Sequence, residues 1–154
     1  MSMLRGQRDL LCAFNAEGVE YLVVGGQAVN AHGAPRLTKD LDLFLRNTAD
    51  NSERVFKALA RFGAPIAGLS PADFRDHPDD VFQIGVEPSR IDLLQHIAGV
   101  DFDSAWERRQ LFAVEDGLTV PFLALDDLLA NKLASGRPQD LADVDKLSKI
   151  RNLK

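Results

Sequence analysis

The stretch Leu22–Leu45 reads LVVGGQAVNAHGAPRLTKDLDLFL. An apolar run halts at two glycines, Gly25 and Gly26. A later apolar run carries two aspartates, Asp40 and Asp42. The first run is short and rich in β-branched residues, as a buried strand is, and the glycines end it. GQAVNAHG then reads as a short helix that opens at the double glycine and stops at Gly33, with Pro35 as a second breaker. From Leu37 to Leu45 the pattern alternates strictly, which predicts a strand over that whole range. Leu37, Lys39, Leu41, Leu43 and Leu45 fall on one face, and Thr38, Asp40, Asp42 and Phe44 on the other.

Upstream, MLRGQRDLLCAFNAE (residues 3–17) places Leu4, Leu11 and Phe14 at helical spacing before a stop at Gly18. Downstream, TADNSERVFKALARFG predicts a helix with polar N-cap candidates, an apolar stripe of Val55, Phe56, Leu59 and Phe62, and an end at Gly63. SPADFRDHPDD is a loop or a short helix. VFQIGVEPSRIDLLQ predicts a hairpin of residues 81–86 and 90–95, turned at Glu87-Pro88-Ser89. DFDSAWERRQ is a short helix, and LFAVEDGLTVPFLA a second hairpin with an Asp116-Gly117 turn. The last third reads helix, break at Gly136-Arg137-Pro138, helix. The fold class expected is α/β (α+β): a mixed central β-sheet flanked by helices. We expect one domain over residues 1–154, with C-terminal helices over 125–150 packing on it.

The chain's 154 residues are enough for one real core. No apolar run approaches the roughly 20 residues of a membrane span. The N-terminus shows no apolar core with a cleavage site, so the expected location is cytoplasmic. Cys12 is the only cysteine, which rules out an internal disulfide; it reads as inert core within the first helix. The net charge of −5 argues against nucleic-acid binding by overall field. A local basic pocket from Arg36, Lys39, Lys132 and Arg137 remains open.

Asp40 and Asp42, two apart in a strand, point the same way. Two like charges in a sheltered place repel and lose water, so something must compensate. A divalent metal does so: Mg²⁺ prefers hard oxygens and is typically held by one or two carboxylates plus substrate phosphates. The alternative is an edge strand with both aspartates solvated. Asp92, interrupting the apolar strand RIDLLQ, is a third carboxylate. Three of them on neighbouring strands would suit two metal ions about 4 Å apart, as in sites that displace phosphate in line. The double glycine has two readings as well. It is a tight strand-to-helix turn, or it leaves backbone N–H groups open to a phosphate.

Other groups are weaker signals. Lys132 shares a helix with Leu128, Leu129 and Leu133 and reads equally as a snorkelling surface lysine. Arg137 is a phosphate ligand or a helix cap. Asp140 and Asp143, one turn apart, either orient Lys132 and Arg137 or favour the start of the last helix; for Asp140 the second is preferred. His32, His77 and His96 lack zinc spacing, although His32 at a helix end could line a pocket. Trp106 reads as packing. Gln27 could touch a phosphate or cap its helix. There is no Gly-x-Ser-x-Gly turn and no Walker A loop.

Taken together, Gly25-Gly26, Asp40-x-Asp42 and Asp92 resemble the nucleotidyltransferase superfamily with the DNA polymerase β-like fold. Arg36, Thr38, Asp40 and Asp42 are similar in register to the Arg-x-Thr-x-Asp-x-Asp of its bacterial minimal and abortive-infection or toxin-type branch. Lys132, Arg137, Asp140 and Asp143 are similar to that branch's later Lys…Arg…Asp-x-x-Asp segment. The resemblance spans about Tyr21 to Leu147. It implies a Mg²⁺-dependent enzyme, two ions being expected, that moves a nucleoside monophosphate from an NTP such as ATP to a hydroxyl acceptor. The acceptor is open: tRNA, a protein or a small molecule. The resemblance assigns Asp40, Asp42 and Asp92 as catalytic metal ligands, with Asp92 helping to deprotonate the acceptor. It assigns Gly25, Gly26, Arg36, Thr38, Lys132 and Arg137 to the nucleotide's phosphates. The alternative is a catalytically weak binding module of a toxin–antitoxin or regulatory pair, with a cognate partner protein or a second copy in a homodimer.

Overall fold

The computed structural model describes residues 4–34, 38–85 and 89–153. Among them the chain runs α1 (Arg5–Ala16), β1 (Tyr21–Val24), α2 (Gly25–Ala31), β2 (Leu41–Leu45) and α3 (Ala49–Phe62). A 3-10 turn (Pro71–Phe74), β3 (Val81–Ile84), β4 (Ile91–Leu94) and α4 (Phe102–Glu107) follow. The chain closes with β5 (Gln110–Glu115), β6 (Leu118–Phe122), α5 (Leu125–Ser135) and α6 (Pro138–Asn152). The punctuation behaves as its chemistry dictates. Thr48 caps α3 by accepting from the Asn51 N–H, and Gly63 ends it in the left-handed region. Gly136 ends α5 in the same way, and Pro138 opens α6.

The described strands form one mixed sheet in the order β3-β4-β2-β1-β6-β5. Both hairpins, β3–β4 and β5–β6, are antiparallel. β1 runs antiparallel to β2 and parallel to β6, while β2 runs parallel to β4. The expected α/β class, with a central sheet among helices, is what the chain adopts.

The two inner strands are apolar on both sides. All of β1 is buried; in β2, Leu41, Leu43 and Leu45 are buried on one face and Phe44 on the other. Phe44 meets Phe102 of α4 edge to face, with ring centroids 5.0 Å apart. Each such buried side chain contributes about 1.5–3 kcal/mol. That burial, repeated along both strands, fixes their register against slippage.

Several expectations need correction. β2 begins at Leu41 rather than Leu37, because its ladder partners run out: β1 ends at Val24 opposite Asp42, and β4 starts at Ile91 opposite Leu41. Asp40 therefore lies just before the strand, and Leu37 is outside the described residues. β3 and β4 are shorter than read, and Glu87 and Pro88 of the expected turn also fall outside the described residues. Cys12 is exposed, not core, because α1 turns Leu10, Leu11, Ala13 and Phe14 inward and leaves position 12 on its outer side. His32 is buried, its Nε2 lies 2.7 Å from the Leu123 carbonyl, and its ring packs edge-on against Phe112. Trp106 packs as expected, stacked on Phe102 with the Arg109 guanidinium over its ring.

Candidate active site

The site is built by register. In the β1–β2 pair Val24 stands opposite Asp42, so Gly25, the next residue, arrives beside that aspartate. In the β2–β4 pair Asp42 stands opposite Asp92. Residues directly opposite on neighbouring strands project to the same side, so the two carboxylates share a face. Asp40, one step outside β2, joins them through a common neighbour, Arg90.

The glycines make the tight strand-to-helix turn that one of the two readings requires, and they also make room for side chains of the site. Gly25 has φ +67°, a conformation side chains rarely take. A Cβ there would stand 2.2 Å from Asp42 Oδ2. A Cβ on Gly26 would meet the Thr38 side chain at 2.9–3.0 Å. The double glycine lets Asp42 and Thr38 press against the start of α2.

Asp42 is under electrostatic load. Burial, then the charges of Asp92 and Asp40, push its carboxyl up to about 6; Arg90 and Lys132 pull the other way. Asp40 Oδ1 is buried and has no hydrogen-bond partner among the described residues. A sheltered oxygen without a donor is costly and calls for a cation or a proton.

Arg90 was missed by sequence reasoning. Its Nε donates to Asp92 Oδ1 at 2.9 Å and its Nη2 to Asp92 Oδ2 at 3.3 Å, with Asp40 Oδ2 3.7 Å from Nη2. The signal was present: Arg90 lies two residues before Asp92, and period-two alternation puts both on one face. The backbone holds it there, since the Arg90 carbonyl accepts the Leu41 N–H at 3.0 Å.

The cationic side comes from the C-terminal helices. β6 runs parallel to β1, so α5, which follows β6, starts at the sheet end where Gly25 lies. Lys132 on α5 is only 5% exposed, which overturns the snorkelling reading. Its Nζ lies 3.2 Å from both Asp140 Oδ1 and Asp143 Oδ2, carboxylates that are themselves buried. Asp140 does more than favour a helix start, the reading preferred for it. It accepts from Lys132, from the Arg137 guanidinium at 2.7 Å and from the Arg137 N–H at 3.3 Å. Burial opposes its ionisation, yet those donors hold its carboxyl below the ordinary range. Arg137 is N-cap of α6 with its side chain largely exposed, and Asp42 acts on it electrostatically. Arg36 lies outside the described residues, Lys39 is exposed, and Gln27 is buried. Of the four cations expected in a basic pocket, Lys132 and Arg137 both contact Asp140.

The sequence of this chain matches, over residues 7–153, the family model described as "Nucleotidyltransferase of unknown function (DUF6036)". The chain belongs to that nucleotidyltransferase family. No curated protein matches it. Among solved structures it is similar to the lincosamide antibiotic adenylyltransferase LnuA bound to lincomycin, with TM-score 0.56 and 14% identity. That likeness covers 97% of this chain and 99% of LnuA. It is also similar to an antigenic nucleotidyltransferase-like protein from Paracoccidioides brasiliensis, with TM-score 0.55 and 14% identity over 94% of this chain and 72% of that one. At such identity these likenesses concern the fold.

Nucleotidyltransferases generally use a divalent metal with the NTP, and the residues here fit one in chemistry. The donors are hard carboxylate oxygens, one of them is buried and unpartnered, and their mutual repulsion helps to push the Asp42 carboxyl up. Among the described residues, however, no three His, Cys, Asp or Glu side chains converge on a single metal position. Both Asp92 oxygens accept from the Arg90 guanidinium.

Proposed function

We propose that the chain catalyses Mg²⁺-dependent transfer of a nucleoside monophosphate from an NTP to a hydroxyl acceptor. The observation that carries the proposal is the Asp42–Asp92 pairing across parallel strands, beside the glycine turn and within the field of Lys132. Asp40, Asp42 and Asp92 would hold Mg²⁺ together with phosphate oxygens. Bound there, the ion supplies neutralising charge to the triphosphate. Asp92 takes the proton of the acceptor hydroxyl as its oxygen bonds to the α-phosphorus and the bond to pyrophosphate breaks. Lys132 and Arg137 oppose the charge that develops on pyrophosphate. Lys132 is suited to this by its confinement: held by two carboxylates, it loses little freedom when a phosphate arrives. Gly25, Gly26 and Thr38 shape the wall against which the phosphates lie, and Arg36 adds a further cation from the segment that leads into Asp40.

For the acceptor, net charge weighs against tRNA. The likeness to LnuA along nearly its full length supports a small-molecule hydroxyl. The second reading, a catalytically weak binding module of a toxin–antitoxin or regulatory pair, is favoured by one observation, the ion pairing of Arg90 with Asp92 and Asp40.

The deciding experiment is thermal melting with each NTP, in Mg²⁺ and in EDTA, for the wild type and Asp40→Ala/Asp42→Ala. An NTP at ~100-fold above its Kd stabilises by about 2.7 kcal/mol, roughly 5–10 °C for a domain of this size. A Mg²⁺-dependent rise with one NTP, lost in the double variant, supports transfer and names the donor. No rise with any NTP rejects it in favour of the binding module.

A further inference from the structure

The guanidinium of Arg90 stands between two of the acidic side chains, Asp92 and Asp40. It takes both oxygens of Asp92 in a two-pronged contact, 2.9 Å and 3.3 Å, and reaches Asp40 Oδ2 at 3.7 Å. The three side chains are sheltered, at 30% exposure for Arg90, 26% for Asp40 and 13% for Asp92. Pairing in such a place is less screened than on an open surface. A planar guanidinium matches a carboxylate bidentately, which a lysine ammonium does not.

We propose that Arg90 is a built-in counter-ion that competes with divalent metal for Asp92 and Asp40, so that metal loading requires the guanidinium to leave those oxygens. The inference rests on the nucleotidyltransferase reading above and adds a residue that controls how readily the site takes metal. A carboxylate oxygen accepting from Arg90 points its electron density at a cation already in place. A metal ion that takes the same oxygen displaces the guanidinium or meets its positive charge a few ångströms away. Either way the metal's affinity is lowered by Arg90. The benefit is on the protein's side, since Arg90 relieves the repulsion that Asp40 and Asp92 exert on Asp42.

A competing role makes the opposite prediction. If Arg90 stays on Asp92 when metal binds and merely orients it, removing Arg90 weakens metal binding by tenfold or more. The sign of the change separates the two.

The test uses the full chain, stripped with EDTA and desalted, and Mn²⁺ as the probe, titrated without nucleotide by calorimetry and by loss of the free-Mn²⁺ spin-resonance signal. Variants are Arg90→Ala, Arg90→Lys and, as a site control, Asp92→Asn. We expect Arg90→Ala to bind Mn²⁺ on the order of tenfold tighter than wild type, given that a unit charge at contact distance in an environment of this dielectric is worth at least that factor. Arg90→Lys should fall between them, and Asp92→Asn should bind more weakly than wild type. Metal-free Arg90→Ala should also melt lower than wild type and recover more on adding Mn²⁺. Should Arg90→Ala fail to fold, Arg90→Lys must still bind several-fold tighter than wild type. Mn²⁺ binding to Arg90→Ala where wild type shows none would support the inference. Equal or weaker binding by Arg90→Ala overturns it while leaving the nucleotidyltransferase reading standing. No Mn²⁺ binding by any variant, with no Mg²⁺-dependent NTP effect, overturns both.

Discussion

Replacing Asp42 by asparagine should make the protein more stable at neutral pH. The carboxyl of Asp42 titrates at about 6 in the fold, against an ordinary value of 3.8. Below the lower value the folded and unfolded chains both carry the proton, and the group has no effect on stability. Between the two values the unfolded chain has lost a proton that the folded chain keeps, so stability falls as pH rises. Above about pH 6 both are ionised and the whole penalty remains, about 3 kcal/mol against folding. Asparagine keeps the size of the side chain and carries no charge. The stability difference between Asp42→Asn and wild type should therefore be near zero at about pH 4, grow through pH 5–6 and level off by about pH 7, with a ceiling of ~3 kcal/mol. For a chain of this length that ceiling is roughly 6–12 °C in Tm. Urea unfolding in EDTA at a series of pH values reads the difference directly. If the variant is less stable than wild type at pH 7.5, or if the gap is the same at pH 4 and pH 8, the account of Asp42 as a buried, repelled charge is wrong.

Two further outcomes follow from the same geometry. Lys132→Met should destabilise by about 3–5 kcal/mol, since it removes the one ammonium that the buried Asp140 and Asp143 carboxylates share; adding Asp143→Asn should restore part of that in thermal melts, and a loss under about 1 kcal/mol would mean the ion pairs carry no structural weight. Gly25→Ala should cost about 2–4 kcal/mol from its left-handed backbone and the contact with Asp42, and in a double-mutant cycle Asp42→Ala should remove the steric share, so strictly additive losses would show that the two do not touch.

How much of this was legible beforehand depends on how local each feature is. The β1–α2 turn could be read because a short apolar run, two glycines and a helical pattern sit next to one another. The start of β2 could not, because the alternation from Leu37 continues past the point where neighbouring strands stop offering partners. That Asp92 stands opposite Asp42 depends on β4, not β3, taking the place beside β2, a choice made by the whole sheet. The burial of Lys132 was equally hidden. A lysine among leucines on one helix looks the same whether its ammonium reaches water or, as here, two aspartates from the next helix. Arg90 was readable in principle, since the alternation that singled out Asp92 applies two residues earlier. Cys12 misled because residue type outweighed its place on the helical face.

The parallel pairing of β2 with β4 also governs when the site comes into being. β1, α2 and β2 are neighbours in sequence, so the contact of Asp42 with Gly25 closes only a short stretch of chain. Asp92 joins only after α3 and β3 have been laid down, and Lys132 only after nearly the whole sheet has formed, because α5 hangs from β6, the strand that closes against β1. Such long-range closures are slow. On a ribosome, the first half of the chain would carry its acidic pair with neither its opposing carboxylate nor its lysine yet made. Any nucleotide handling then becomes a property of the finished chain alone, since a truncated product would lack the opposing carboxylate and the lysine.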